Sequence, residues 1–396
     1  MRRSLQIIIA ALIAGQFTVN TAKSQDSADV ELMGRLGVSG KIVDKSKVAS
    51  KLEDGSASNQ FGGLSAIDYL GDDKFLLLAD RGAADGAVSY PCRFHEVSLK
   101  VNSENKSIEF ELLKTTMLVS KDGGSLVGSL TAHSADLKSN KVSNWTALDP
   151  EGMRRLRSGG LVVSDEYGPR VLMFDETGRL EREFSIPEHF QLREPESGTH
   201  TMGTYPNRGL EGVAVTPTGD RIVAVIQSPL IQDAIVEGDK CLGLNCRWIL
   251  YQANGGVDGE VVYQLDNLKT GVSEVLAIDE TKFLVLERDS KDGKDAETKR
   301  VYLCDTSGAS DVRQIASLPQ LNLPSDVKPV SKRLLIDLLD DRFEIAGKKA
   351  PEKPEGIAWG EPLADGRRTL WVCCDNDFDP KRTTNFYCFA IDPSAL

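Results

Sequence analysis

A short pattern of residues recurs at least five times along the chain and limits what the chain can fold into. Each copy holds an apolar stretch of four to six residues, a turn containing glycine or aspartate, and a second apolar stretch. Such stretches between Gly, Asp and Pro turns are typical of antiparallel β-strands. The copies start roughly 60 to 90 residues apart, which favours propeller blades over a sandwich, whose strands would not repeat a sequence. They begin at Gly63, Glu151, Glu211, Glu274 and Glu355.

The repeat predicts an all-β protein, a β-propeller of five or six four-stranded blades closed by a strand from the N-terminal segment. The last copy reaches the end of the chain after three strands, and the stretch Leu36–Val43 could supply its fourth. A sixth blade could come from residues 319–352 or from residues 100–148. Within the first of these, the apolar run at 333–339 reads as a short helix or an extra strand.

The outer strands of the individual copies can also be placed. In the fourth copy we expect them at residues 301–305 and 312–318, and in the fifth at residues 385–391. Residues 120–148 are rich in Ser, Lys and Gly and read as a long surface loop.

The N-terminus has the composition of a secretory signal. Arg2 and Arg3 form a basic start, Leu5–Gly15 is apolar, and Ala22–Ser24 is a small-residue cleavage site. The apolar run is short for a bilayer span, although a transmembrane anchor is the alternative. We expect a periplasmic or secreted protein. The predicted parts are a signal peptide at 1–24, an N-terminal segment with the closing strand at 25–59, and the propeller at 60–396.

Seven cysteines follow the predicted cleavage site. Cys241 and Cys246 flank four residues and could close a small disulfide loop. An odd number leaves at least one thiol free or paired between chains. No CxxC pair is present, so a thiolate zinc site is not expected.

The formal net charge of −12 argues against nucleic acid and anionic membrane surfaces as partners. A small anionic substrate would likewise be repelled unless a cation bridges it to the protein. The sequence does not indicate an oligomeric state.

Acidic residues recur at matching places in the repeat. Because the first strand of each propeller blade lines the central channel, the acids that start these strands should converge near its mouth. Four glutamates hold this position, and in the first copy the equivalent place is Gly63, which carries no acid. The ends of the second strands add Asp80, Asp165 or Glu166, Gln227, Glu287, and Asp375 or Asn376.

So many acids cannot all stay ionised at close range without compensation. One possibility is a divalent cation bound by Glu151, Glu211, Glu274 and Glu355, for which oxygen-only ligands favour Ca²⁺ or Mg²⁺ over zinc. Another is neutralisation by Arg81, Arg208 and Arg288. A third is that the acids only accept hydrogen bonds from turn amides.

Short motifs lie at Asp149–Gly152, Asn207–Gly212, Ser273–Glu274, Glu287–Arg288, Lys332–Leu335, Glu355–Gly356 and Asp375–Asn376. In combination they resemble the phytase-like, "esterase-like activity of phytase" family. The resemblance covers about residues 60–392 and implies a β-propeller, usually exported from bacterial cells, that hydrolyses phosphoric or carboxylic esters. The glutamates also resemble the metal-binding ring of calcium-dependent lactonase propellers, which mix Asn and Asp where this chain has Glu.

These observations predict a metal-dependent ester hydrolase acting on a small anionic substrate. In this hypothesis Asp165, Glu166 or Glu287 acts as general base, and Arg208 contacts the anionic group. Arg81, Arg288 and Asn376 complete the substrate-binding set. No G-x-S-x-G, H-E-x-x-H or Walker motif is present. The alternative is a non-catalytic propeller that binds a ligand or partner on the same face, because fold alone does not imply catalysis.

Overall fold

The computed structural model describes residues 29–139, 145–192, 200–238 and 240–396. The protein is all-β, and most of the described strands belong to five consecutive four-stranded units. The predicted signal peptide lies outside the described residues. No helix in the described part has both the length and the apolar character needed to cross a bilayer.

The strands of each unit are given from the inside of the molecule outward. Unit I has β2 (Leu64–Gly71), β3 (Lys74–Ala79), β5 (Arg93–Asn102) and β6 (Ser107–Met117). Unit II has β8 (Pro150–Arg155), β9 (Leu161–Asp165), β10 (Arg170–Phe174) and β11 (Leu180–Glu183). Unit III has β12 (Leu210–Val215), β13 (Arg221–Ile226), β16 (Asn245–Gln252) and β17 (Val257–Gln264). Unit IV has β18 (Gly271–Ala277), β19 (Lys282–Arg288), β20 (Lys299–Asp305) and β21 (Ser331–Asp337). Unit V has β22 (Lys353–Trp359), β23 (Arg368–Asp375), β24 (Thr383–Ile391) and β1 (Val30–Ser39).

The remaining elements are short and lie in the connections. Two small antiparallel pairs are β4 (Tyr90–Pro91) with β7 (Val127–Gly128), and β14 (Ile235–Glu237) with β15 (Lys240–Leu242). The α-helix α1 spans Leu130–Ser139. Short 3₁₀ turns lie at Ala83–Gly86, Glu188–Phe190, Ile231–Asp233, Gly293–Asp295, Asp341–Phe343, Gly347–Lys349 and Pro393–Ala395.

The N-terminal strand completes the last unit, as the sequence predicts. β1 pairs antiparallel with β24, from Val30 opposite Ile391 to Ser39 opposite Thr383. It begins six residues before the expected Leu36 and ends four before Val43. A single parallel pair, Arg35 with Ser107, joins β1 to β6 and merges units I and V into one eight-stranded sheet.

The first strands of the units are neighbours in a cyclic order. β2 contacts β8, β8 contacts β12, β12 contacts β18, β18 contacts β22, and β22 contacts β2. We call these five strands the inner ring. Each pairs through its ladder only with the second strand of its own unit, so its other edge faces the middle of the molecule.

Apolar side chains fill the space between adjacent units, because both faces of most sheets are covered by a neighbour. Between units III and IV, Trp248 stacks on Tyr263 and meets the edge of Phe283. Between units I and V, the Phe75 and Trp371 rings lie 5.1 Å apart. Burial of this aliphatic and aromatic surface is the main stabilising contribution available to this fold.

Three expectations are wrong in detail. The fourth strand of unit IV is β21, so the run at 333–339 is largely this strand, while 312–318 is a loop segment whose Val312 and Leu318 pack on Val262. Residues 120–148 include α1 and β7 rather than being a loop throughout. All seven cysteines are buried free thiols, so Cys241 and Cys246 form no disulfide.

Candidate functional site

A β-bulge recurs at the same place in all five strands of the inner ring. The pairing register between first and second strand shifts there in every unit. A bulge adds a residue to one strand and redirects its side chain. The residues at the bulges are Ser65, Glu151, Glu211, Ser273 and Glu355, and all five line one cavity.

The second strands contribute a matching set of residues to the same cavity. In each unit the contributing residue ends the second strand or directly follows it. These residues are Asp80, Glu166, Gln227, Arg288 and Asp375. The cavity has a volume of about 180 Å³, and its wall is completed by Arg81, Asn207, Arg208, Lys269, Thr270, Gly271, Ser290 and Lys353. The repeat therefore builds most of the wall, and the loops between units add Arg208 and Lys269.

Glu274 is not part of this wall, which corrects its predicted role as a ligand. In β18 the bulge falls at Ser273, so Glu274 takes the place that glycine holds in the other acidic units. Its side chain is completely buried and lies 3.0 Å from the Arg154 guanidinium. Burial raises the pKa of Glu274 to about 8, although Arg154 and the Val275 amide favour the carboxylate.

Arg154 closes the middle of the inner ring below the cavity. Its guanidinium donates hydrogen bonds to the carbonyls of Ile67, Met153, Val275 and Ile357, at 2.7 to 3.1 Å. These carbonyls lie on four of the five first strands, whose inward edges have no strand partner. A buried carbonyl without a hydrogen-bond donor costs free energy. The Arg154 side chain supplies donors to carbonyls on strand edges that pair with no other strand.

Acidic groups outnumber the cations beside them on the unit I and unit II side of the cavity. One carboxylate oxygen each from Asp149, Glu151 and Glu166 lie within 4.8 Å of one another. Glu151 makes no hydrogen bond or ion pair with any other described residue. Burial, and then the charges of Asp149 and Glu211, raise the pKa of Glu151 well above its ordinary value.

Glu211 extends this cluster from unit III. Burial, followed by the charge of the neighbouring Glu166, raises the pKa of Glu211 well above its ordinary value. Burial and Asp149 raise the pKa of Glu166 to about 7. The Oε1 atom of Glu211 is buried and has no hydrogen-bond partner.

This donor set suits a hard divalent cation. All of the ligating atoms are carboxylate oxygens, which Ca²⁺ and Mg²⁺ prefer. A carboxylate such as Glu151, which lies among other carboxylates with no cation beside it, is in an unfavourable arrangement that a bound cation would relieve. Asp149, Glu151 and Glu166, with Glu211 beside them, therefore fit a metal, whereas Glu274 and Glu355 are already paired with arginines.

Three of the five cations on the wall are held in ion pairs. Arg81 contacts Asp149 at 2.5 Å, Asp85 at 2.6 Å and Glu166 at 3.4 Å, and it also donates to Asn207. Arg288 pairs with Glu355 and donates to Ser273 at 3.0 Å. Lys353 pairs with Asp375 and Asp377. Within the described residues, the side chains of Arg208 and Lys269 have no such partner.

Three other predicted residues lie away from the cavity. Asp165 is completely buried, lies 2.5 Å from Arg170 and accepts from the Asp149 amide. Glu287 accepts from Tyr263, Lys332, Thr270 and the Asp266 amide, at 2.6 to 3.0 Å. Asn376 accepts from the Gly63 amide at 3.1 Å and donates to the carbonyl of Asp379. Their polar atoms are occupied by local contacts, so the structure gives them positioning rather than lining roles.

Several residues in the cavity wall or beside it were not among the predicted site residues. Asp149 precedes Glu151 by two positions, so alternation along an extended segment places both on one side; this was a usable signal. Ser65 and Ser273 hold bulge positions but carry no charge to mark them. Lys269 and Asn207 belong to loops that the repeat does not include, and nothing in their spacing indicates the cavity.

Comparison with known proteins gives one family match. The family model described as phytase-like, "Esterase-like activity of phytase", matches residues 59–378. A curated relative from Arthroderma benhamiae, described as an uncharacterized secreted protein, is 24% identical over 290 residues. That match covers 57% of this chain and 56% of the relative, so the chain spans about half of the relative's length.

The solved structures that resemble the chain do so distantly. Hydrazine synthase from Kuenenia stuttgartiensis shares 13% identity, with 85% of this chain and 80% of its own covered and a TM-score of 0.36. A streptogramin B lyase shares 9% identity, with 93% and 100% covered and a TM-score of 0.37. Scores this low carry no argument about site or activity. The family match, in contrast, includes every residue that lines the cavity, and on this match the chain belongs to the phytase-like family.

Proposed function

We propose that the chain is a five-bladed β-propeller that hydrolyses the ester bond of a small anionic substrate, using a divalent cation held in the cavity. Asp149, Glu151 and Glu166 hold the cation, and Ca²⁺ fits their oxygen-only set. When bound, the cation polarises an ester or phosphoryl oxygen and links an anionic substrate to an acidic wall. The cyclic order of the inner ring supports the five-bladed architecture.

The observation that carries the proposal is the state of Glu151 and Glu211. Both carboxyl groups face the cavity, and neither has a basic partner among the described residues. Glu355 and Asp375, in contrast, are matched by Arg288 and Lys353. An unmatched pair at one place is expected of a site that receives its positive charge from a ligand.

The residues of the chain take separate roles in this proposal. The unpartnered Oε1 of Glu211 accepts a proton from the attacking water. Arg208 binds the anionic group of the substrate through its guanidinium. Arg81 orients Asp149 and Glu166 by donating to both. Asp165 and Glu287, which the sequence offered as alternative bases, take no direct part because their oxygens are occupied.

We also propose export of the mature protein, supported by the basic and apolar N-terminus and by the relative described as secreted. The test is N-terminal sequencing of the protein made by cells with residues 1–24 intact. A mature chain that starts at Gln25 outside the cytoplasm supports export. Retention of the uncleaved chain contradicts it.

The hydrolase proposal is tested by melting temperature and turnover together. Purified protein is treated with EDTA and then titrated with Ca²⁺, while hydrolysis of p-nitrophenyl phosphate and of p-nitrophenyl butyrate is followed. A ligand that binds only the folded state raises the melting temperature by mass action. We expect Ca²⁺ to raise it and to restore turnover of at least one ester.

The matched variants are Glu151→Gln and Glu181→Gln, which remove the same charge from the same unit. Glu181 is exposed on β11, away from the cavity. Glu151→Gln should abolish the Ca²⁺ response, while Glu181→Gln should retain it. A Ca²⁺ response without turnover of either ester would instead indicate a binding propeller, and no Ca²⁺ response would remove the metal from the proposal.

A further inference from the structure

We propose that a groove at the outer edge of unit V binds a small organic dianion of the dicarboxylate class. The bound ligand ties the closing strand β1 to the connection between units IV and V. The groove shares no lining residue with the central cavity, so the inference is independent of the proposed hydrolase. It is lined by Arg35, Leu36 and Gly37 of β1, by Thr383, Asn385 and Tyr387 of β24, and by Glu344, Ile345, Lys348 and Lys349 of the connection.

The pairing of β1 with β24 builds the floor of the groove. Arg35 lies opposite Tyr387, and Gly37 lies opposite Asn385. Because side chains alternate along a strand, Thr383 and Asn385 face the same side of β24 as Tyr387. A Cβ atom on Gly37 would lie 3.2 Å from Oγ1 of Thr383 and 3.3 Å from Oδ1 of Asn385. The glycine therefore leaves these polar groups open to the groove.

The groove carries an excess of positive charge in a chain whose formal net charge is −12. It has three cations, Arg35, Lys348 and Lys349, and a single acid, Glu344. The guanidinium of Arg35 reaches the carboxylate of Glu344 at 3.3 Å, but the Glu344 side chain is 75% exposed, so this pair is weak. Among the described residues, no ion pair involves Lys348 or Lys349. The surplus of two positive charges matches a dianion.

Tyr387 supplies a polar group that has no partner in the protein. The residue is only 5% exposed and lines the groove. Its hydroxyl makes no hydrogen bond with any other described residue, although buried tyrosines usually find a partner for this group. The hydroxyl is therefore available to a molecule that enters the groove, which surface charge alone would not provide.

The connection between units IV and V forms the other wall of the groove. The Glu344 carbonyl accepts a hydrogen bond from Arg35 at 3.1 Å, which holds this segment against β1. Ile345 packs in the core between units IV and V, and Ala350 is also buried. The 3₁₀ turn Gly347–Lys349, which carries both lysines, is thus anchored on each side.

The lining favours an organic dianion over an inorganic one. The volume of about 490 Å³ lies within the range of roughly 300–1,000 Å³ found for pockets that enclose whole ligands. Leu36, Ile345 and the ring of Tyr387 add apolar surface to the charged groups. A guanidinium binds one carboxylate through two parallel hydrogen bonds, and a lysine ammonium can pair with a second.

The groove lies at the seam where the ring of units is closed. β1 completes unit V, and its Arg35 also makes the single parallel pair with Ser107 of unit I. A ligand held by Arg35 and by the lysines of the connection adds a contact at this seam. Because it binds only the folded ring, it raises the melting temperature by mass action.

The test uses the purified protein after EDTA treatment and dialysis into metal-free buffer, so that no cation in the central cavity can hold the anion. Binding of succinate, sulfate and butyrate is measured by calorimetry and by melting temperature. We expect succinate to bind at millimolar concentration or below and to raise the melting temperature, and sulfate and butyrate to bind more weakly. No succinate binding at millimolar concentration would overturn the site, and so would equal binding of succinate and either of the other anions.

Three variants probe the separate contacts with succinate. Arg35→Gln and Lys349→Gln should each weaken binding by about tenfold or more, and Tyr387→Phe by about threefold to tenfold, the ranges for charged and neutral hydrogen bonds. Tyr387→Phe should leave the melting temperature without succinate unchanged, because the hydroxyl has no partner in the protein. Wild-type affinity in all three variants would contradict the proposal.

Two controls locate the bound anion. Lys381→Gln removes a charge from an exposed side chain near Thr383 that lies outside the groove, and it should bind succinate like wild type. An equal loss in Lys381→Gln and Lys349→Gln would indicate attraction by general surface charge and overturn the site. If Arg208→Gln lost succinate binding while Lys349→Gln kept it, the anion would lie in the central cavity and the groove would not be its site. None of these measurements involves Ca²⁺ or turnover, so their outcome does not depend on whether the protein is a hydrolase.

Discussion

Arg154 and Glu274 lie 3.0 Å apart in the middle of the inner ring, beneath the cavity. Arg154 also donates to carbonyls on β2, β8, β18 and β22, so one side chain joins four units. A chain built from separate four-stranded sheets needs such contacts, because no ladder crosses the middle of the molecule. The ion pair therefore stabilises the arrangement on which the cavity depends.

Arg154→Met should lower the free energy of unfolding by about 3 kcal/mol or more, because it leaves four buried carbonyls without their donor and each such group costs about 1–3 kcal/mol. Arg155→Met is the control, since that neighbouring side chain is exposed and should change stability by less than about 0.5 kcal/mol. Urea unfolding measures both, and equal effects in the two variants would contradict the role of Arg154.

The stability of the metal-free protein should fall as the pH rises. The pKa of Glu274 is about 8 in the folded protein against an ordinary value of 4.5. Between these values the unfolded chain holds fewer protons than the folded one, so the free energy of unfolding decreases with rising pH. Glu166 and Asp375, with pKa values of about 7, act in the same direction at lower pH.

Glu274→Gln isolates the contribution of this residue, because glutamine resembles the protonated acid. The variant should lose part of the pH dependence between pH 7 and 8, because the other acids with raised pKa values still contribute, and it should remain folded at pH 7. Unfolding by urea at half-unit pH steps, with EDTA present, gives the two curves. An unchanged slope in the variant would show that Glu274 is already ionised at neutral pH.

Gly212→Ala should destabilise the protein by about 1–3 kcal/mol, as overpacking does. The added Cβ would meet the Val275 amide nitrogen at 2.6 Å and Cα of Glu274 at 2.8 Å. These are backbone atoms of β18, which cannot move aside without shifting the strand. Gly308→Ala is the control, because nothing lies within 4 Å of a Cβ added at that position. If Gly212→Ala were as stable as this control, the inner strands would separate easily.

Much of the architecture could be predicted from the sequence because it is encoded locally. Apolar runs separated by turn residues place the first and second strands of each unit, and the short last unit indicates that the N-terminal segment completes it. The outer strand of unit IV escaped prediction, because β21 follows a loop of about 25 residues that carries the apolar residues Val312 and Leu318. Because this loop segment buries its apolar residues against Val262, its sequence has the apolar pattern expected of a strand.

The cavity could be predicted only in part, because its composition depends on register. In the repeated pattern Glu274 stands at the position of Glu211, but the bulge at Ser273 shifts Glu274 by one residue. Because successive residues of a strand point to opposite faces of the sheet, this shift turns the side chain to the other face. For the same reason the sequence could not decide whether Asp165 or Glu166 reaches the cavity. Sequence spacing gives the set of acids near the ring, whereas the structure decides which of them reach the cavity.

The adjacent acids Asp165 and Glu166 should therefore respond in opposite ways to loss of charge. Asp165→Asn breaks a fully buried pair with Arg170 and should cost about 3–5 kcal/mol of stability while leaving Ca²⁺ affinity near that of wild type. Glu166→Gln relieves repulsion from Asp149 and Glu211, so the metal-free protein should be at least as stable as wild type. The same variant removes a ligand and should weaken Ca²⁺ binding, which a smaller rise in melting temperature at saturating Ca²⁺ reports. If Asp165→Asn lost Ca²⁺ binding while Glu166→Gln kept it, the assignment of the two residues would be reversed.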